Sequence, residues 1–308
     1  MVNISEGRDE ALLGHLARSC GSWLIDLHRD PWHHRAVLTL AGPANDVEGA
    51  CRVLATETVA ALDLRRHSGA HPRLGVLDVV PFVPLTWLAH DDGPSRPDGP
   101  GGARSTGPGG AVRVAAAPDL GPAVAARDAF TRWAGHELGL PCFRYGPLGD
   151  GTFRTLPEVR RGAFRTLAPD AGPATPHPTA GAAAVGARPV LVAYNVWLRG
   201  GDVTVARTIA AAIRSRTIRA LGFDLGGVAQ VSCNLLEPGT RGPAQVYDEI
   251  ARRARGLGAQ PDRAELVGLL PGDVLREVPE HRWGELGLRW ADTLEARLEG
   301  LARSVSWR

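Results

Sequence analysis

The order of predicted secondary structure repeats along this chain, and the repeat restricts the folds open to it. Short apolar strands and amphipathic helices alternate as β-α-β-β-α-β in the first half, and the same order returns after residue 190. Each set is a split βαβ pattern. Two copies predict an α+β chain of two βαββαβ-type subdomains, with sheets that pack face to face or side by side.

The first set of elements is read from hydrophobic spacing and turn residues. A helical pattern begins near Ser5, and Pro43, Asn45 and Glu48 predict a capping-box start for a second helix. A turn rich in His and Asp, residues 28–34, separates two of the strands. The predicted strands and later elements of this half are Val2–Ile4, Trp23–Leu27, Arg35–Ala41, a strand after residue 75, a helix Ala123–Leu138 and a strand Pro141–Tyr145.

The second set follows a linker punctuated by proline and glycine, residues 168–188. Its elements are predicted as a strand Val190–Leu198, a helix Val203–Arg214, strands Leu221–Leu225 and Val228–Leu236, a helix Pro243–Arg255, a strand Glu265–Leu270 and a last amphipathic helix carrying Leu294, Leu298 and Leu301. We place the subdomain division between residues 1–186 and 187–308. Residues 91–110 are dominated by Gly, Pro, Ser, Asp and Arg and are predicted to form a mobile insertion.

Composition excludes several function classes. All 35 basic residues are arginine, so no Schiff base, P-loop lysine or lysine general base can operate. A net charge of +2 gives no nucleic-acid footprint. The four cysteines are far apart without a CxxC pair, which predicts buried, reduced thiols. No run is long and apolar enough for a membrane span or a leader peptide, so we expect a cytoplasmic protein without membrane or nucleic-acid partners.

A turn with two histidines and an arginine lies between a helix and a strand, at His67-Ser68-Gly69-Ala70-His71-Pro72-Arg73. His71 is biased to an extended backbone because a proline follows it. Imidazole titrates near neutral pH, so His71 is a candidate general acid–base catalyst. Considered alone, His71 could equally be a turn histidine that only satisfies hydrogen bonds.

Metal and nucleophile sites are weaker readings of the same residues. A metal ion could take its ligands from His28, His33, His34, His67, His71 and Asp78. However, the sequence has no HExxH or CxxC motif, and a chain with ten histidines has several such residues in its turns by chance. No GxSxG motif or glycine elbow surrounds a serine or cysteine. We therefore expect no metal. The residue patterns alone predict an enzyme-like α+β chain with a His-Arg turn, and they do not identify a substrate.

Resemblance to a known family extends this interpretation. The segment from Gly69 to Pro84 resembles the G-x-HPR-x-G-x-LDV-x-PF-x-P motif of the glutamate formimidoyltransferase family, the transferase part of formiminotransferase-cyclodeaminase. Asn3 to Arg8 resembles the N-F-S-E-G-R opening. Further matches follow in the family's order at 35–42, 145–146, 154–157, 161–162, 186–195, 229–236 and 265–271. The resemblance covers nearly the whole chain and is that of a stand-alone bacterial-type member.

The family resemblance implies a reaction and a fold. It implies transfer of the formimidoyl group of N-formimidoyl-L-glutamate to N5 of tetrahydrofolate, a co-substrate, in histidine degradation and one-carbon metabolism. It also implies facing β-sheets with helices outside, substrate in the groove between them, and a homodimer. Two alternatives stay open: a paralogue that transfers a one-carbon amidine or formyl unit to another amine, and a non-catalytic folate-binding module.

The resemblance also assigns residues. His71 stands at the position of the family's catalytic histidine, and Arg73, Arg35, Arg8 and Asn3 are candidates for substrate binding because guanidinium pairs with carboxylates. His28 stands where the animal enzymes have an aspartate, and the folate loop here carries no aromatic residue. The folate-contacting loop aligns with Gly172, Pro173, Ala174, Thr175, Pro176, His177, Pro178, Thr179, Ala180 and Gly181.

Overall fold

Two β-sheets form the framework of the protein. The computed structural model describes residues 1–89, 112–116 and 119–304. The elements of the first part are β1 Val2–Ile4, α1 Glu10–Ser19, β2 Leu24–Asp30, β3 Arg35–Leu40, α2 Ala44–Ala61, β4 Leu77–Phe82, β5 Leu85–Ala89, β6 Val112–Ala116, α3 Gly121–Glu137, β7 Cys142–Pro147, β8 Phe153–Arg154, α4 Leu156–Gly162 and β9 Ala183–Ala187.

The second part of the chain contributes a smaller set of elements. They are β10 Val192–Arg199, α5 Val203–Ile213, β11 Ile218–Asp224, β12 Ala229–Leu235, α6 Pro243–Gly256, β13 Gln260–Val267, α7 Gly272–Arg276 and α8 Leu294–Ser304. The repeated β-α-β-β-α-β order and the α+β class predicted from the sequence are both confirmed.

Strand order differs between the two sheets. The first sheet has seven strands in the order β2-β3-β1-β4-β9-β7-β8, and its pairs are antiparallel except for β9, which runs parallel to β4 and β7. The second sheet has four antiparallel strands in the order β11-β12-β10-β13. The hairpin β5–β6 forms a separate two-stranded sheet.

Each large sheet buries an apolar face under helices, and polar residues such as His28 and Gln230 lie toward the other sheet. Leu16 of α1, Leu54 of α2 and Phe130 of α3 are completely buried in the core of the first sheet. Ile209 of α5 and Ile250 of α6 do the same for the second sheet. Burying such side chains is the main favourable term in folding, about 1.5–3 kcal/mol for each. The polar faces therefore meet between the sheets.

Polar contacts connect the two facing surfaces. His33, in the turn after β2, lies 3.0 Å from Gln230 of β12 through Nε2 and Oε1. His28 of β2 approaches Glu265 of β13 at 3.4 Å. This arrangement confirms the expectation of facing sheets with outer helices. The predicted division at residues 186 and 187 falls in the last two residues of β9 and stays a prediction.

Several local predictions were wrong. The strand predicted at Glu265–Leu270 lies at Gln260–Val267. α1 begins at Glu10 and is capped by Asp9, because the hydroxyl of Ser5 is buried and donates to the carbonyl of Gly75 at 2.8 Å. α2 has no capping box: Pro43 precedes the helix without a side-chain bond, and Asn45 already lies inside the first turn. β2 extends to Asp30, into the predicted turn, because cross-strand pairing with β3 continues to its end.

Other predictions concern thiols, membranes and the insertion. Cys20, Cys51, Cys142 and Cys233 are buried and free, as predicted. In the described part of the chain, no helix is long and apolar enough to cross a membrane. The insertion predicted at residues 91–110 lies outside the described residues.

Gly75 supplies a stringent test of this fold. A Cβ atom at this position would lie 2.3 Å from the carbonyl oxygens of both Ala180 and Ala182. We expect Gly75→Ala to lower the free energy of unfolding by about 1–3 kcal/mol, because two backbone segments must move apart. Gly49→Ala, in α2 with open space around it, is the matched control and should be neutral or stabilising. Denaturant titration measures both, and equal stability of the two variants would contradict the packing.

Candidate active site

The His71 turn is held against the turn between β2 and β3 by one side chain. The guanidinium of Arg73 donates to the carbonyl of His71 at 2.8 Å through Nη2 and at 3.2 Å through Nε. It also donates to the carbonyls of His33 at 3.1 Å and His34 at 3.4 Å, and it contacts the ring of His67. Its donors are thereby occupied by the protein, so Arg73 fixes the position of the turn.

The ring of His71 has one nitrogen committed and one open. Nδ1 lies 2.7 Å from the carbonyl of Pro72, an acceptor only, so Nδ1 carries the proton in the neutral ring. Nε2 then carries the lone pair. Arg160 of α4 donates to the same Pro72 carbonyl at 2.9 Å and pairs with Asp78 at 2.6 Å. Asp78 in turn accepts the backbone N–H of Leu74 at 2.6 Å.

Electrostatics keep His71 in its basic form. Burial lowers the pKa of His71 well below its usual 6.5, and the positive charges of Arg35 and Arg160 lower it further. The imidazole is therefore neutral at physiological pH, with Nε2 ready to accept a proton. A positioned neutral histidine of this kind can act as a general base.

The second sheet completes the surroundings of His71. Phe223 of β11 lies 6.0 Å from His71 and 4.8 Å from His33, measured between ring centroids. His33 and His71 meet edge to face at 5.8 Å. The site is thus built from both subdomains. Sequence reasoning assigned no role to Phe223, Arg160, Asp30 or Gln230. Gln230 was visible in the matched 229–236 segment, but its motif carried no assigned role.

Arg35, a predicted substrate-binding residue, lies beside His71 without a hydrogen bond from its guanidinium to any described residue. Its Nε is buried and unpartnered. Burial lowers the pKa of Arg35, opposed by the carboxylates of Asp30, Asp78 and Glu265. An arginine stays protonated nonetheless. The structure therefore presents a cation with free donors near His71.

Two other predicted substrate-binding residues lie at different places. Arg8 is exposed and donates through Nε to the carbonyl of Pro31 at 3.0 Å. Asn3 is partly buried in β1, with Val37 and Val79 as cross-strand neighbours. Their roles stay predictions.

The loop predicted to contact folate is attached directly to the His71 turn. The N–H of Leu64 donates to the carbonyl of Thr179 at 2.7 Å, and the N–H of Val76 donates to the carbonyl of Ala180 at 2.9 Å. These bonds hold the loop on both sides of His71. The ring of His177 stabilises the loop internally, because its Nδ1 accepts the N–H of Ala180 at 3.0 Å. Residues 172–176 are exposed and available to a ligand.

The start of the loop is anchored by a partly buried ion-pair network. Asp170 accepts the N–H of Arg144 at 2.8 Å and pairs with Arg154 at 2.7 Å. Arg127 of α3, fully buried, donates to the carbonyl of Tyr145 at 3.2 Å. In the described residues, no group of three His, Cys, Asp or Glu side chains is placed to hold a metal ion.

Several known proteins are similar to this chain in sequence. Residues 1–96 match the model of the "Formiminotransferase domain, N-terminal subdomain". The chain is 30% identical to glutamate formimidoyltransferase of Streptococcus pyogenes, over 91% of this chain and 90% of that protein. It is 28% identical to glutamate formimidoyltransferase of Thermoplasma acidophilum, over 97% and 96% of the two chains. It is 31% identical to formimidoyltransferase-cyclodeaminase of Sus scrofa over 87% of this chain and 49% of that longer protein.

These matches and the two-sheet site define a group-transfer enzyme. The chain belongs to the glutamate formimidoyltransferase family, as its motifs predicted.

The electrostatic account of His71 can be measured directly. We expect the pKa of His71 from NMR titration to lie below 6.5. Arg160→Gln should raise that pKa, because it removes a neighbouring positive charge. Arg161→Gln is the matched control, since Arg161 is exposed on the same helix and should leave the titration unchanged. A pKa above 6.5, or the same shift from both variants, would contradict the assignment.

Proposed function

We propose that this protein transfers the formimidoyl group of N-formimidoyl-L-glutamate to N5 of tetrahydrofolate, with His71 as the general acid–base catalyst. Two facts support the proposal: family membership with glutamate formimidoyltransferases, and the open Nε2 of a neutral His71 in the site between the sheets. The single observation that carries the role of His71 is the Nδ1 contact with Pro72, because it leaves Nε2 basic.

The reaction needs a proton to be moved from one nitrogen to another. N5 of tetrahydrofolate attacks the amidine carbon and forms a new carbon–nitrogen bond, and Nε2 of His71 takes the N5 proton. The bond from that carbon to the glutamate nitrogen then breaks, and the leaving nitrogen receives the proton. The products are N5-formimidoyl-tetrahydrofolate and glutamate. One group serves as base and then as acid.

Folate would be held by the loop from Gly172 to Gly181. The hydrogen bonds from Leu64 and Val76 place this loop beside the His71 turn. Exposed backbone groups at 172–176 can bind the polar edge of a pterin. The loop lacks an aromatic residue, so binding here depends on backbone hydrogen bonds more than on stacking.

Arg35 would bind a carboxylate of the donor, because its guanidinium has free donors near His71. Arg73 has a different part in this proposal: its occupied donors make it a positioning residue for the His71 turn. A homodimer, a cytoplasmic location and a place in histidine degradation stay predictions of the family resemblance.

Loss of the His71 imidazole should abolish turnover. We expect His71→Gln to lower kcat for formimidoyl transfer by about 10²-fold or more, because the proton then lacks an acceptor. Absorbance of the folate product measures turnover, and calorimetry measures tetrahydrofolate binding, which should persist. His136→Gln, with a ring 86% exposed on α3, is the control and should keep full activity.

The opposite results separate the alternatives. A His71→Gln enzyme that retains kcat within about threefold would exclude His71 as the catalyst. A parent protein that binds tetrahydrofolate without forming product would favour the folate-binding module. Product from a different amine acceptor would favour the paralogue.

Arg73 is distinguished from a substrate ligand by its kinetic signature. Arg73→Lys removes the planar fork that reaches three carbonyls, so we expect kcat to fall by about tenfold or more while the donor KM stays within about threefold. A variant with unchanged kcat and a strongly raised donor KM would instead indicate a direct contact with the donor carboxylate. Arg161→Lys, on the exposed face of α4, controls for the loss of a guanidinium.

A further inference from the structure

Asp30 and Arg35 present opposite charges side by side next to His71. They are directly opposed residues of the antiparallel pair β2 and β3. No atoms of the two side chains come within ion-pair distance among the described contacts, although the negative charge of Asp30 acts to raise the pKa of Arg35. An anion and a cation therefore stand close together without satisfying one another.

Only one oxygen of the Asp30 carboxylate accepts hydrogen bonds. Its Oδ1 accepts the N–H groups of Trp32 at 2.9 Å and His33 at 2.8 Å. Its Oδ2 is buried without a hydrogen bond, 3.8 Å from Nε2 of His33, and the residue is only 4% exposed. A buried carboxylate oxygen without a donor is costly, so a cationic or N–H-bearing ligand that reached this atom would stabilise it.

Neighbouring buried side chains also have polar atoms without hydrogen-bond partners. His33 is completely buried, and its Nε2 is committed to Gln230, which leaves Nδ1 as an unpartnered acceptor. Burial lowers the pKa of His33 and keeps that nitrogen free of a proton. Gln230 is also completely buried, with an unpartnered Nε2 donor. Together with Asp30 and Arg35, these residues form a cluster of polar groups near His71 in which each has a buried atom without a hydrogen-bond partner.

The donor molecule has the complementary pattern. An amidine is a strong base, so the formimidoyl end carries a positive charge and several N–H donors at neutral pH. The α-carboxylate is attached to the carbon that bears the amidine nitrogen. The amidinium and the α-carboxylate of the donor are therefore only a few bonds apart. Asp30 and Arg35 are likewise neighbours, since they face each other across the pair β2 and β3.

We propose that Asp30 and Arg35 are a paired recognition site for an α-amidino carboxylate, with Asp30 binding the amidinium and Arg35 the α-carboxylate. This inference rests on the proposed function for the identity of the donor and goes beyond it by assigning Asp30 and the selection of an amidine over an amide. Nδ1 of His33 accepts a further amidine N–H. The arrangement places the reacting carbon beside His71, whose ring is 5.8 Å from that of His33.

The test compares two ligands that differ only in charge at the transferred group. N-formimidoyl-L-glutamate carries an amidinium, whereas N-formyl-L-glutamate carries a neutral amide on the same skeleton. Asp30→Asn keeps an oxygen to accept the Trp32 and His33 N–H groups, so the turn is retained while the charge is removed. Asp26→Asn is the matched control, because Asp26 lies on the same strand and pairs with Arg297 at 3.3 Å.

Calorimetry should give a selective loss. We expect Asp30→Asn to weaken binding of the amidine by about 10²-fold and to leave binding of the formyl compound within about threefold of the parent. Arg35→Gln should weaken both ligands, since both have the α-carboxylate. Asp26→Asn should change neither. Melting curves and tetrahydrofolate binding verify that each variant is folded.

The opposite outcomes are separable from failure of the proposed function. Equal loss of both ligands in Asp30→Asn, or no loss of the amidine, would overturn the paired site even if the parent enzyme turns over. Amidine binding that depends on Asp30 in a protein without transferase activity would support the paired site and overturn the proposed function.

Discussion

The candidate site depends on the hydrogen bonds that the guanidinium of Arg73 donates. It donates to the backbone carbonyls of His33 and His71, which belong to two turns that are far apart in the sequence. Hydrogen bonds to a charged donor are stronger than neutral ones, and a planar fork constrains direction as well as distance. The ring of His71 consequently has a fixed place relative to β2, β3 and the facing sheet.

A second constraint comes from the polar faces that the two sheets turn toward each other. Burying polar groups without partners destabilises a folded protein, yet Asp30, His33, Arg35 and Gln230 each keep a buried atom unpartnered here. The apolar faces under the helices offset that cost, since their side chains are almost fully buried. In the proposed paired site, hydrogen bonds from the ligand to these atoms would recover part of that cost.

Much of the fold could be predicted because its signals are local. Alternating and helical apolar spacing located most strands and helices, and the end points of α5 and α6 were missed by a single residue. Errors occurred where a distant group decided the outcome. Ser5 resembles the residue that starts a helix, but its hydroxyl donates a hydrogen bond to the carbonyl of Gly75, seventy residues away. The motif around His71 identified the turn and its family, but the donors of Arg73 were read as free because their carbonyl partners lie in another turn.

By itself, the sequence determined the repeated α+β topology, the family and the position of the His71 turn, because these depend on residue order and spacing. Only the tertiary structure decided which charges are free and which are used. Arg73 and Arg35 are both arginines near apolar strands, but the guanidinium of Arg73 donates to carbonyl oxygens, whereas that of Arg35 has a buried Nε without a hydrogen-bond partner. The structure makes Asp30 a candidate binding group, because it shows both its strand partner and its unpartnered oxygen. Hydrogen-bond satisfaction is a property of the assembled sheets, and no window of sequence contains it.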